Sequence, residues 1–334
     1  MSRLLDAKKE KEDEGSELSL RPQTLKEYVG QSQGKANLEV FLGAAKKRGE
    51  PLDHVLLYGP PGLGKTTLAY VIANEMGGKI RLVNGPSVEK AGDLAAILSE
   101  LEPGDILFID EIHRLPRVVE EVLYGAMEDF TLSVLINQNG SSHVLNMPLP
   151  PFTLVGATTR SGDLSSPLRS RFGISMKLDF YSEEELSSII RRTSRVYGTE
   201  IEQGAVKLIA KRSRGTPRIA NRLFKRIRDF ASFHEESSIS VSRCAESLEA
   251  LKIDELGLDE VDIRYLDAII ERFHGGPVGL ESIASAIGEE VSNLEDVYEP
   301  YLVMMGMVNR TPRGRVATEK AYSHLKKAHQ SSLF

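Results

Sequence analysis

The sequence predicts an α/β core, a parallel sheet with helices on both faces, followed by a small all-α domain and a winged helix. Three observations carry the prediction. Up to about residue 180, apolar runs too short to be helices alternate with helical stretches, as the strands and crossover helices of a parallel sheet do. From Ser182 the pattern is helical. From Val261 it runs helix, Gly275-Gly276-Pro277, two short helices, then two strands joined by Thr311-Pro312-Arg313-Gly314, the order of a winged helix. The expected domains are 1–180, 181–253 and 254–334, with Asp254 to Asp259 as a linker.

Met1 to Ser19 is polar and Glu/Lys-rich and is expected to be mobile. A helix over Gln31 to Arg48 would put Leu38, Phe41, Leu42 and Ala45 on one face. His54-Val55-Leu56-Leu57-Tyr58 is a continuous apolar run, which reads as a strand buried on both faces. A helix follows from Lys65 to about Met76. Ile106-Leu107-Phe108-Ile109 is a second strand ending in Asp110-Glu111, and Phe152 to Ala157 a third ending in Thr158-Thr159-Arg160. Ser182 before Glu183-Glu184-Glu185 is an N-cap with acids in the first turn. Three or four helices continue to about Leu251.

Forty-two Lys+Arg against 48 Asp+Glu leave a net charge of −6. The single cysteine, Cys244, excludes an internal disulfide framework and a cysteine-based zinc site. The histidines show no metal-ligand spacing. No run of about 18 apolar residues is present and the N-terminus is charged, so a cytoplasmic protein is expected.

Gly59-Pro60-Pro61-Gly62-Leu63-Gly64-Lys65-Thr66 fits the eight-residue P-loop between a strand and a helix. Glycines such as Gly62 and Gly64 let backbone N–H groups approach phosphate oxygens, and the helix N-terminus adds partial positive charge. Lys65 would reach the β- and γ-phosphates and Thr66 would ligate Mg²⁺. At a neighbouring strand end, Asp110 suits Mg²⁺ coordination, and Glu111 could orient or deprotonate the attacking water. His113 reads as structural. Thr158 or Thr159 puts a hydroxyl at the same sheet edge. Thr216 as N-cap and Pro217 as first helical residue place Arg218 in a helix's first turn. A cation there opposes the helix dipole, which suggests an anionic partner.

Arg21-Pro22, Gly59 to Thr67, Leu107 to Arg114, Gly156 to Arg160, Ser166 to Gly173, Gly215 to Arg218 and Arg310 to Arg315 together resemble the RuvB family of Holliday-junction branch-migration motors, bacterial AAA+ ATPases. The resemblance implies an ATP- and Mg²⁺-dependent motor acting in recombination and repair. It implies a homohexamer encircling double-stranded DNA, working with a RuvA-type protein that holds the four-way junction and leaving room for a RuvC-type resolvase. Lys65 and Thr66, with Thr67 beside them, match Walker A; Asp110 and Glu111 match Walker B. Thr158 or Thr159 matches sensor 1, Arg171 the arginine finger that reaches a neighbouring subunit, and Arg218 sensor 2. Leu20, Arg21 and Tyr181 match positions lining the adenosine end, and Glu128, Asp129 and Phe130 another segment of the nucleotide site.

Beyond residue 300, Arg310, Arg313, Arg315, Lys320, Lys326 and Lys327 stand against Glu319 alone, a local charge of +5 that leaves −11 for the rest of the chain. A basic wing tip without interleaved aromatics suits the duplex backbone better than single strands. The resemblance points to Arg310 and Arg315 as the DNA contacts. Two β-rich runs around Asn139-Gly140 signal a hairpin. Its Val134, Leu135, Ile136, Val144 and Leu145 would suit a protein partner if exposed, or the hairpin's own domain if not. By the resemblance the hairpin docks on the RuvA-type partner. Two rival readings share the AAA+ core: a nucleotide-gated DNA-binding switch, which also carries a winged helix, and a clamp-loader subunit, which carries a helical collar instead.

Overall fold

The structure, a computed structural model, describes residues 20–138 and 141–327. The chain forms two units, one of Arg21–Gly59 with Leu63–Asp179, the other running from Phe180 onward and taking in Pro60–Gly62. The residues before Leu20, expected to be mobile, lie outside the described residues.

The first unit is built on five strands, β1 (Val55–Tyr58), β2 (Ile80–Asn84), β3 (Ile106–Asp110), β6 (Thr153–Thr158) and β7 (Ile174–Lys177), all parallel in the order β2-β3-β6-β1-β7. Between β3 and β6 lie β4 (Thr131–Gln138) and β5 (Ser141–Pro148). The three apolar runs of the sequence are the three central strands. The two edges escaped that reading because neither is a continuous apolar run: β2 is largely exposed, and in β7 only Ile174 and Met176 are buried. Leu56, Leu107, Ile109 and Leu154 pack with Leu123, Phe152 and Leu168 in the core. Leu38, Leu42 and Ala45 bury the helix Ser32–Arg48, whereas Phe41 lies exposed.

β4 and β5 pair antiparallel with Val134 opposite Leu145 and Gln138 opposite Ser141, which resolves the hairpin's register. The turn Asn139-Gly140 lies outside the described residues, as do the side chains on which the exposure of the hairpin's apolar residues depends.

In the second unit four helices, Glu183–Val196, Gln203–Arg212, Pro217–Phe233 and Val241–Ala250, follow one another. The first opens with a reciprocal cap: Ser182 Oγ accepts from Glu185 N at 3.2 Å, and Glu185 Oε2 accepts from Ser182 N at 2.8 Å. A two-residue parallel pair, β8 (Glu200–Ile201) and β9 (Ser238–Ile239), is too short to leave a pattern in the sequence. Cys244 is buried, and burial pushes its thiol up to about 12, which makes it an inert core residue.

The winged helix packs Tyr265, Leu266, Ile269, Ile283, Leu294, Tyr298 and Leu302 into its own core, with β10 (Val308–Thr311) and β11 (Gly314–Ala317) as the wing. Gly314 (φ +132°) admits no side chain, since a Cβ there would lie 2.4 Å from Val278 O. The stretch read as a linker is an ordered turn. Asp254 Oδ1 accepts from Leu256 N at 2.9 Å and Leu258 N at 2.8 Å, and Leu258 is fully buried. The buried Arg214 donates from Nε to Gly257 O at 2.8 Å and pairs with the buried Asp262. Among the described residues no helix is long and apolar enough to cross a membrane.

Candidate nucleotide site and nucleic-acid interface

A parallel sheet brings the C-terminal ends of its strands to one edge, where ligands of such sheets bind. Here β1 runs into the P-loop, β6 beside it ends at Thr158, and β3 beyond that ends at Asp110. Gly59 (φ +144°) begins the loop so close to β7 that a Cβ would meet Leu178 O at 2.4 Å. Gly62 and Gly64 also have positive φ, +77° and +95°, so the loop backbone turns through conformations that side chains disfavour. Lys65 opens the helix Lys65–Met76; it is 6% exposed and its Nζ donates to Gly59 O at 2.8 Å. An ammonium so buried, at a helix N-terminus beneath a glycine loop, fits a phosphate group.

Thr66 follows in the first helical turn, with Thr67 next to it, both partly buried. Asp110 is partly buried, its Oδ1 accepting from Glu111 N at 3.0 Å. Among the described residues no group of three or more His, Cys, Asp or Glu could enclose a metal ion. One hydroxyl and one carboxylate fit Mg²⁺, which keeps several waters and takes its remaining oxygens from substrate phosphates.

Glu111 turns the chain sharply at the end of β3, with φ +50°. Its Oε2 accepts from Thr159 Oγ1 at 3.3 Å and lies 3.3 Å from His113 Nδ1. Thr158 is fully buried, its hydroxyl 2.9 Å from His113 Nδ1 and accepting from Arg160 N at 2.9 Å. Of the two threonines, only the partly exposed Thr159 contacts the carboxylate, while Thr158 supports the histidine behind it. His113, read from the sequence as structural, is part of this cluster. A lone histidine three residues from a strand end carried no signal of that.

Arg171 follows the short helix Ser166–Ser170. It stacks 4.5 Å from the Tyr124 ring centroid, donates from NH1 to Pro167 O at 2.7 Å and from NH2 to Glu128 at 3.0 Å. Glu128 and Arg171, both singled out by the resemblance, thus meet each other. Asp129 ends the helix Arg117–Glu128, and Phe130 packs against Phe152 with ring centroids 5.8 Å apart. The Arg21 guanidinium sits over Tyr70, 4.4 Å from its centroid, a partner that no sequence pattern singled out.

In the second unit Leu20 and Tyr181 are buried, and Tyr181 N donates to Gly215 O at 2.8 Å. Thr216 occupies the N-cap position, but its hydroxyl donates to Arg214 O at 3.1 Å instead of capping the helix. Arg218 lies in the first turn, its backbone N donating to Gly62 O of the P-loop at 3.4 Å.

On the wing, Arg310 and Arg315 are direct cross-strand partners, and both guanidinium groups bond the carboxylate of Glu299. Arg313 lies exposed at the turn. Lys327 is paired with Asp267 and Glu271, so the basic C-terminal segment is less free than its charge count implies.

Three family models cover almost the whole chain: the Holliday junction DNA helicase RuvB P-loop domain over residues 20–178, the RuvB AAA lid domain over 181–254 and the RuvB C-terminal winged helix domain over 255–326. Among solved structures, the Thermotoga maritima RuvB Holliday junction branch migration motor is 54% identical, covering 93% of this chain and 99% of that one, with a TM-score of 0.85. A lysine-to-arginine mutant of the same motor matches with 54% identity over 92% of this chain and 98% of that one, with a TM-score of 0.86. An alanine-to-serine mutant gives the same identity and TM-score over 92% and 99%.

Proposed function

Because the chain belongs to the RuvB family of Holliday-junction branch-migration motors, we propose that it does its work as a homohexameric ring on double-stranded DNA in the cytoplasm. It is an ATPase that uses ATP and Mg²⁺ to drive branch migration. In this reading its β4–β5 hairpin engages a RuvA-type junction-binding protein, and a RuvC-type resolvase acts on the same junction.

The observation that supports the site assignment is the buried Lys65 ammonium under a loop of positive-φ glycines, with Asp110 and Glu111 on the same sheet edge. Lys65 and the loop amides around Gly62 and Gly64 hold the β- and γ-phosphates. Thr66 and Asp110 would hold Mg²⁺, with Thr67 adjoining, and the ion would supply charge neutralisation at the phosphate oxygens. Glu111 orients the attacking water and accepts its proton, and Thr159 steadies the Oε2 from which it does so. Thr158 acts one step back, through His113. By the family resemblance, Leu20, Arg21 and Tyr181 are the adenosine-end residues and Arg218 the sensor 2 arginine.

Arg171 serves the neighbouring subunit. Glu128 and Tyr124 hold its guanidinium in a fixed pose, so that one protomer completes the site of the next. Arg310 and Arg315 contact duplex phosphates, which position the protein without reading sequence. Electron microscopy of the protein with duplex DNA and a slowly hydrolysed ATP analogue should show rings threaded by DNA. Monomers under those conditions would overturn the ring and, with it, the role of Arg171 in trans. Junction dissociation assayed with and without a RuvA-type protein tests the partner, and equal rates in both would reject it.

A further inference from the structure

The wing carries a feature that its charge count does not reveal. Glu299 opens the helix Glu299–Met304 and has no exposed surface, yet it is a carboxylate. Such a group is stable in a protein interior only if its oxygens are well partnered. Here both are. Oε2 accepts from Tyr265 Oη at 2.8 Å and from Arg315 Nε at 3.0 Å. Oε1 accepts from Arg315 NH2 at 3.3 Å and from Arg310 Nε. Burial, and then the Glu299 carboxylate itself, push the Tyr265 hydroxyl far up, so it stays a donor.

Arg310 and Arg315 face each other across β10 and β11. Like charges at such a pair repel, and two free arginine side chains would sample many rotamers. The carboxylate removes both problems at once. It takes Nε of Arg310, and Nε and one terminal nitrogen of Arg315. Both terminal nitrogens of Arg310 and NH1 of Arg315 take no part in these bonds. Arg310 is 49% exposed and Arg315 21% exposed. The cluster keeps a net charge of +1, so it still attracts an anionic backbone.

We infer that Glu299 is a positioning residue for DNA binding: a buried carboxylate that holds both wing arginines with their remaining N–H groups presented to duplex phosphates. The inference rests on the reading that Arg310 and Arg315 touch DNA. It makes a prediction opposite in sign to simple electrostatics. Glu299→Gln raises the net charge of the wing by one, so charge alone predicts tighter binding. Loss of positioning predicts weaker binding, by about five- to thirty-fold, because two rotamer-rich side chains must then be ordered at the moment of association.

The test is fluorescence anisotropy of a labelled duplex with the full chain and a slowly hydrolysed ATP analogue, over a range of salt. Weaker binding by Glu299→Gln supports the inference, and equal or tighter binding by a folded variant overturns it. Should Glu299→Gln lose its helical circular dichroism, Tyr265→Phe removes one bond to the carboxylate without changing charge. A loss of about two- to five-fold is expected for it, and unchanged affinity would overturn the inference. The double variant Arg310→Ala, Arg315→Ala separates the two levels. If it binds duplex as well as the parent, the phosphate-contact reading itself is wrong. If it weakens binding, adding Glu299→Gln should cause no further loss; an additional loss would mean that Glu299 merely supports the fold.

Discussion

The sheet edge and the wing, the two regions proposed to bind anions, are built on different plans. At the sheet edge the residues proposed for phosphate, metal and water lie in contiguous stretches, Gly59 to Thr66 and Asp110-Glu111, each delivered by the end of a parallel strand. On the wing the two arginines come from paired strands, but the carboxylate that fixes them is on another helix, at Glu299. The first plan is local and shows in the sequence; the second is assembled by tertiary packing. A charge count can therefore locate an anion-binding surface without showing how its cations are held.

The largest effect should come from the finger. Arg171→Ala is expected to lower ATP turnover by about 10³-fold or more while leaving ATP binding intact, measured by steady-state hydrolysis and equilibrium nucleotide binding. An effect below about tenfold would remove Arg171 from the reacting phosphate. Next, Glu111→Gln should cost about 10²–10⁴ in turnover, and Thr159→Val distinctly less, since it only steadies Glu111. If Thr158→Val proved the more damaging of the two threonine variants in single-turnover hydrolysis, the division of labour drawn above would be reversed.

On the wing the effects should be smaller and salt-dependent. Arg315→Ala should weaken duplex binding about equally for all sequences and reduce the salt slope by about one. A sequence-selective loss would point to base contacts. The smallest expected effect concerns the support beneath the sheet. His54 is buried, its Nε2 bonded to Met127 O and its Nδ1 accepting from Leu154 N, and burial lowers its pKa from 6.5. The unfolded chain then takes up a proton at a pH where the native state does not. Stability is complete above about 6.5 and falls as the pH drops below it. Urea denaturation between pH 7 and 5 should show that loss, and His54→Gln should reduce it. ATP turnover per folded molecule should stay flat over the same range if the support and the site are separate.

Much of this was legible because the residues concerned obey local rules. β1, β3 and β6 are buried along their length, save Tyr58 and Asp110 at the ends of the first two, so each shows as an apolar run with the proposed site residues at or just past its C-terminal end. β2 and β7 obey no such rule, because an edge strand shares its burial with solvent. Asp254 to Asp259 has the composition of a linker, and only its bonds to Arg214 and its buried Leu258 make it a fixed turn. His113 and Glu299 are the same case in the functional regions. Each matters through a neighbour distant in sequence, Thr158 for the histidine and the two arginines for the glutamate.

The bonded turn at Gly257 has a mechanical consequence. Arg214 lies three residues before Pro217, where the helix bearing Arg218 begins, and its guanidinium grips Gly257 O and Asp262 at the entrance to the winged helix. Both residues of that ion pair are sealed from solvent, so moving one without the other would strand a charge. The start of the Arg218 helix and the first helix of the winged helix are thereby tied through one sealed ion pair, so that displacing either by itself would expose a buried charge.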